Sequence, residues 1–149
     1  MQILFYSLTG VTKQVAEELG SQLNAKVTEI EIDTQYPEGD IDVLKDFVIE
    51  QDQNANLPHI LNEISISHDD VILIGFPIWL QQPALAIKSL FKTVDLIDKQ
   101  IIFFCTSGST TYEEIKPAIQ AVATTGTLVG GLKVDPSNVK SNDILELLK

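Results

Sequence analysis

The sequence predicts a doubly wound α/β fold: a five-stranded parallel sheet with helices on both faces. Three observations carry that expectation. Short apolar runs alternate with helix-period patterns along the whole chain. Two of these runs, Val71-Ile72-Leu73-Ile74 and Ile101-Ile102-Phe103-Phe104, are apolar at every position, as strands covered on both faces must be. The 149 residues suit one domain, 1–149, and neither an internal repeat nor a break in composition divides them.

The first strand is Ile3–Tyr6. Val11, Val15, Leu19 and Leu23 then recur every four residues, with Lys13, Gln14, Glu17 and Glu18 turned outward, which predicts an amphipathic helix. Val27–Ile32 interleaves Thr28, Glu29 and Glu31 with apolar residues and belongs at a sheet edge. Asp40 is placed to cap a helix whose apolar face is Ile41, Leu44, Phe47 and Val48. The polar tract Glu50–Asn56 reads as a surface loop, and the pattern is weakest from Asp33 to Ser67. Val71–Gly75 is the third strand. Pro83 suits the first position of a helix running through Leu85, Ile87, Leu90 and Phe91. Ile101–Cys105 is the fourth strand. Thr111 and Glu114 have the spacing of a capping box ahead of Ile115, Ile119 and Val122, where Pro117 either kinks the helix or delays its start. Leu128–Val134 is the fifth strand, and its Gly130-Gly131 pair marks a bulge. Ser141 is positioned to cap a final helix through Ile144, Leu145 and Leu148.

The charge is one-sided. Ten lysines and no arginine face 21 carboxylates, for a net charge of −11. Such a surface repels nucleic acid and anionic membranes, and favours protein partners with basic docking surfaces. Cys105 is the only cysteine, which excludes a disulfide framework and a cysteine-based metal site. The N-terminus opens directly into a strand without a leader pattern, and no apolar run approaches the length of a membrane span, so a cytoplasmic location is expected. His59 and His68 fall in the weakly patterned region and read as surface residues.

In an open parallel sheet, ligands bind outside the carboxyl ends of the strands. Three such ends carry distinctive residues. After the first strand come Ser7, Leu8, Thr9, Gly10, Val11 and Thr12, where hydroxyls and a glycine open directly into a helix. That arrangement gathers backbone N–H groups and the positive end of a helix dipole at one point, which makes an anion site. Capping alone needs one hydroxyl, and here there are three. The loop is neither a Walker loop nor GxGxxG, and it holds no cation. A phosphate bound by dipoles and hydroxyls alone points away from nucleotide hydrolysis and toward flavin mononucleotide (FMN). After the third strand come Phe76, Pro77, Ile78, Trp79 and Leu80, a segment carrying a large aromatic, followed by Gln81-Gln82. After the fourth come Thr106, Ser107, Gly108 and Ser109, a small polar turn. A flat heterocycle with a phosphate tail uses all three.

Together these segments resemble the flavodoxin family, in its short-chain bacterial branch. The carrying motifs are Ser7–Thr12, Gly75-Phe76-Pro77-Ile78-Trp79 and Cys105-Thr106-Ser107-Gly108. The resemblance implies the strand order 2-1-3-4-5, FMN as cofactor, and transfer of single electrons at low potential between redox proteins. It also implies roles: hydroxyls of Ser7, Thr9 and Thr12 and amides of Thr9 to Thr12 on the phosphate, Phe76 to Leu80 bordering the isoalloxazine with Trp79 packed on it, and Thr106 to Ser109 along its polar edge. Three positions depart from the pattern: Val11 replaces a common asparagine, Leu80 a second aromatic, and Gln82 a small residue.

Three other functions compete. A small FMN-dependent quinone or NAD(P)H reductase fits the same fold, but without arginine the chain lacks a bidentate clamp for a 2′-phosphate. A phosphoacceptor receiver needs acidic residues after the first strand and an aspartate after the third, where this chain has Ser7 and Phe76. A low-molecular-weight phosphatase needs a Cys-x5-Arg loop, which an arginine-free chain does not have. Cys105, ending an apolar strand with no base or cation beside it in sequence, reads as buried filler.

Overall fold

The computed structural model describes all 149 residues. Five parallel strands lie in the order β2 (Lys26–Glu29), β1 (Gln2–Phe5), β3 (Val71–Trp79), β5 (Gln100–Thr106) and β6 (Thr127–Lys133). A two-residue strand, β4 (Gln82–Pro83), pairs antiparallel with the end of β3. With β4 set aside this is the expected order 2-1-3-4-5. The helices are α1 (Val11–Leu23), α2 (Ile41–Gln53), α3 (Leu85–Thr93), α4 (Tyr112–Val122) and α5 (Ser141–Glu146).

The strands are apolar throughout because successive side chains feed two separate cores. Ile3 and Phe5 point with Leu73, Ile102 and Phe104 toward α1 and α5, where Val15, Leu19 and Ile144 meet them. Leu4, Ile72, Ile74, Phe76, Ile101 and Phe103 point to the other face, under α2, α3 and α4. Each fully buried Phe or Ile contributes about 1.5–3 kcal/mol, and both layers are built from such residues. Gly75 admits no side chain because the Phe104 ring fills the space its Cβ needs.

Several local expectations hold. Asp40 accepts the amides of Asp42 and Val43, and Thr111 with Glu114 forms the complete capping box of α4. Val27 lies on an edge strand, β2. The register slips between Ile101↔Leu128 and Ile102↔Gly130, so Val129 bulges beside the glycine pair.

Others are corrected. β2 ends at Glu29, and Ile32 makes only an isolated antiparallel bridge to Ile60. The Glu50–Asn56 tract begins inside α2, which runs to Gln53 because Val48 and Gln51 are buried under it. Pro83 belongs to β4, and α3 starts two residues later behind Ala84. Pro117 lies inside α4 without delaying its start. Ser141 is the first residue of α5, not its cap, and its amide donates to Gln22 Oε1. On α2, Leu44 and Val48 are buried, but Ile41 and Phe47 are exposed. No helix is long and apolar enough to cross a membrane.

Candidate functional site at the carboxyl ends of the strands

Between β1 and α1 the chain turns at Gly10, whose φ of 96° is one that side-chain-bearing residues avoid. No atom lies within 4 Å of the position a Cβ would take there, so the glycine is required by the turn and not by crowding. Ser7 Oγ accepts the Gly10 amide at 3.1 Å, which leaves the serine proton free to donate outward. The amides of Thr9, Val11, Thr12 and Lys13 have no acceptor within the chain, and the first turn of α1 holds no acidic residue. Lys13 turns aside to Glu29, 3.6 Å away. The loop therefore collects unpaired N–H donors and a helix dipole worth roughly half a positive charge, with no ammonium engaged there.

Two contacts bind this loop to the other two. Thr12 Oγ1 lies 2.8 Å from Thr106 Oγ1 in a buried hydroxyl pair that joins α1 to the end of β5. A pair of hydroxyls uses one proton, so one O–H remains to donate. Tyr6, next to Ser7, stands edge-on to Trp79 with ring centroids 5.8 Å apart.

Trp79 is 8% exposed. Besides Tyr6 it meets Tyr36 at 4.8 Å, and Tyr36 in turn meets Phe47 at 5.5 Å. The Tyr36 hydroxyl donates to Gln51 Oε1 at 2.6 Å. Burial raises the Tyr36 hydroxyl to about 12, and the Tyr6 hydroxyl is also pushed well up by burial, so neither carries charge at neutral pH. Beyond Trp79, Leu80 and Gln81 form a two-residue hairpin turn with φ of 53° and 60°. That turn normally takes Asn-Gly, so it holds backbone strain beside the site. After β5, Ser107 Oγ accepts the Thr110 amide at 3.2 Å, and Lys133 Nζ donates to the Gly108 carbonyl at 3.2 Å. The Cys105 thiol is buried and pushed up to about 12, so it is no nucleophile.

A cleft of about 370 Å³ opens here, within the range of ligand sites. Ile78, Trp79 and Leu80 form one wall and Ser107 to Thr110 a second, polar one; Ile41, Leu44, Lys45 and Val48 of α2 supply the third. A larger cavity of about 470 Å³ lies between α4 and β6, but none of the loop residues reach it. The smaller cleft is the functional candidate because it lies at the strand ends where the crossovers reverse direction, beside the anion loop.

Of the predicted residues, Ile78, Trp79, Leu80, Ser107, Gly108 and Ser109 line the cleft. Ser7, Leu8, Thr9, Gly10 and Val11 form the neighbouring loop, and Thr12 and Thr106 are buried beneath it as the hydroxyl pair. The Phe76 ring is fully buried against Phe103, 5.6 Å away, and does not line the cleft. The residues of α2 and Thr110 were missed. A helix stripe facing a cleft reads like one facing a core, and only its excess of exposed apolar residues (Ile41, Val43, Phe47, Ile49) hints otherwise. His59 lies at the surface as expected and pairs there with Asp33, Nδ1 lying 2.9 Å from the carboxylate, and the buried Tyr112 lines the other cavity. No group of three or more metal-ligating side chains comes together.

Among solved structures, the chain is similar to a flavoprotein from Lactobacillus acidophilus crystallised in complex with FMN. The TM-score is 0.83 at 24% identity, over 99% of this chain and 97% of that one. The NMR structure of the apo form of the Lactobacillus acidophilus flavoprotein gives 0.68 at 24% identity, over 90% and 92%. Oxidised flavodoxin 1 from Bacillus cereus gives 0.50 at 18% identity, over 98% and 90%. These likenesses establish the fold. No curated protein matches the chain by sequence at a significant level. The flavodoxin family model matches residues 1–144, and with that the chain belongs to the flavodoxin family.

Proposed function

We propose that this protein binds FMN and carries single electrons between redox proteins. One observation supports it above the others: Tyr6–Trp79 and Thr12–Thr106 bring three strand ends together, so that a cation-free anion loop adjoins a cleft with one polar and two largely apolar walls. The structurally similar Lactobacillus protein, which was crystallised with FMN, adds to the case.

The residues present fit that cofactor. Ser7 and Thr9 hydroxyls, with the free amides of Thr9, Val11, Thr12 and Lys13, would hold the phosphate, and the shape of the loop needs Gly10. The buried Thr12–Thr106 pair fixes the distance between the anion loop and the polar wall. Trp79, held edge-on by Tyr6 and Tyr36, gives a rigid apolar wall, and the small polar turn Ser107–Ser109 offers donors to a heterocycle edge. The bound flavin supplies the electron chemistry. At −11 the surface attracts partners with basic docking faces, in encounters that weaken with salt.

The experiment separates carrier from enzyme. FMN-loaded protein mixed with NADH or NADPH alone is expected to show no sustained oxidation of the nicotinamide, and to exchange electrons once a reductase is added. Sustained turnover by the isolated protein would make it a quinone or NAD(P)H reductase instead.

A further inference from the structure

The polar wall of the cleft is fixed from behind by a single side chain. Lys133 lies at the end of β6, in register with Cys105, and donates to the Gly108 carbonyl at 3.2 Å. Its ammonium has no carboxylate within ion-pair distance. No peptide bond in the chain is cis, and in a trans peptide the C=O and N–H point opposite ways. With the Gly108 carbonyl turned to Lys133, the Ser109 amide is turned away from it. Ser109 lines the cleft and Lys133 does not. The amides of Gly108 and Ser109 have no acceptor within the chain. Little else holds this peptide: nothing lies within 4 Å of a Cβ built on Gly108, and only the Ser107–Thr110 bond closes the turn.

The isoalloxazine ring has an apolar dimethylbenzene edge and a polar edge with two carbonyls. The cleft has an apolar wall on α2 and a polar wall at Ser107–Thr110, so the polar edge belongs at the second. We propose that Lys133 is a positioning residue for the flavin, holding the Gly108–Ser109 peptide so that the Ser109 N–H donates to that edge. This rests on the FMN reading above. Two electrons from a reductant such as dithionite, with one proton from water taken up at N5, leave one negative charge on the N1–C2=O edge. A hydrogen bond to a charged acceptor is roughly twice as strong as one to a neutral acceptor. Lys133 therefore favours the reduced flavin over the oxidised one, and opposes locally what the −11 surface does globally.

The test compares FMN-loaded wild type, Lys133→Met and Lys133→Arg. The readouts are the dissociation constant of oxidised FMN, the two-electron potential against a reference dye, and the NMR shift of the Ser109 amide. Lys133→Met is expected to weaken oxidised FMN about threefold and reduced FMN about thirtyfold. That tenfold difference lowers the two-electron potential by about 30 mV, and the Ser109 amide moves. Lys133→Arg keeps donor and charge and restores both constants to within about twofold. Lys133→Met with the wild-type potential and an unmoved Ser109 amide would overturn the assignment. A wild type that takes up no FMN would overturn the reading beneath it, which is a different failure.

Discussion

Gly10 is where a single dihedral angle controls the anion loop. At φ 96°, with open space around its Cβ position, an alanine there costs only conformational energy, about 1–2 kcal/mol. Gly10→Ala is expected to weaken FMN binding about tenfold, since 1.4 kcal/mol is one decade; a fluorescence titration reads this. The turn at Leu80-Gln81 asks the reverse. Both residues sit at positive φ, so replacing them with Asn-Gly should stabilise the protein by about 1 kcal/mol in urea unfolding. An unchanged midpoint would mean that the turn carries no strain. Some residue placements were legible and some were not. Strand parity puts Phe76 on the same face as Ile72 and Ile74, hence in the core, a signal the reading of its motif as a cofactor segment passed over. The burial of Trp79 was hidden, because it depends on Tyr6 and Tyr36, which only tertiary structure brings to it.

The elements couple through the buried hydroxyls of Thr12 and Thr106. Thr12→Val would leave the Thr106 hydroxyl buried without its partner, at a cost of about 1–3 kcal/mol. It should lower both thermal stability and FMN affinity, whereas Thr12→Ser should change neither much. Equal behaviour of the two variants would remove the pair from the account. The strands could be read because burial on both faces leaves them apolar at every position, as at Ile101–Phe104. The caps at Asp40 and Thr111 follow from local chemistry alone and were equally readable. The third wall of the cleft was not, since Ile41, Leu44 and Val48 carry the same spacing whether a helix covers a sheet or a ligand. Nor was β4, a two-residue strand that exists only because the Leu80-Gln81 turn folds Pro83 back onto Ile78.

Over the whole molecule, protonation bounds the stability on both sides. Burial raises the Tyr36 and Tyr112 hydroxyls and the Cys105 thiol to about 12 in the folded state, while in the unfolded chain they ionise near 10 and 8.5. A raised folded value gives stability that is complete below the unfolded value and is lost as pH climbs through the interval up to about 12. Asp33, Asp69 and Asp135 are held low, by the His59 amide and ring, by the N-terminal amine and Ser67, and by Ser137 respectively. Their contribution is present above the ordinary carboxylate range and is lost as pH falls below it. Because all three are exposed, the acid loss is the smaller. Urea midpoints should therefore hold level near neutrality, slip slightly in acid and fall steeply from about pH 9 upward. A midpoint unchanged at the alkaline end would contradict the burial of these groups. The most direct measurement of the central claim is a titration of FMN into flavin-free protein, followed by flavin fluorescence. One FMN per chain, with emission strongly changed and weaker uptake by Gly10→Ala, is the predicted result; flavin emission unaltered by the protein would contradict it.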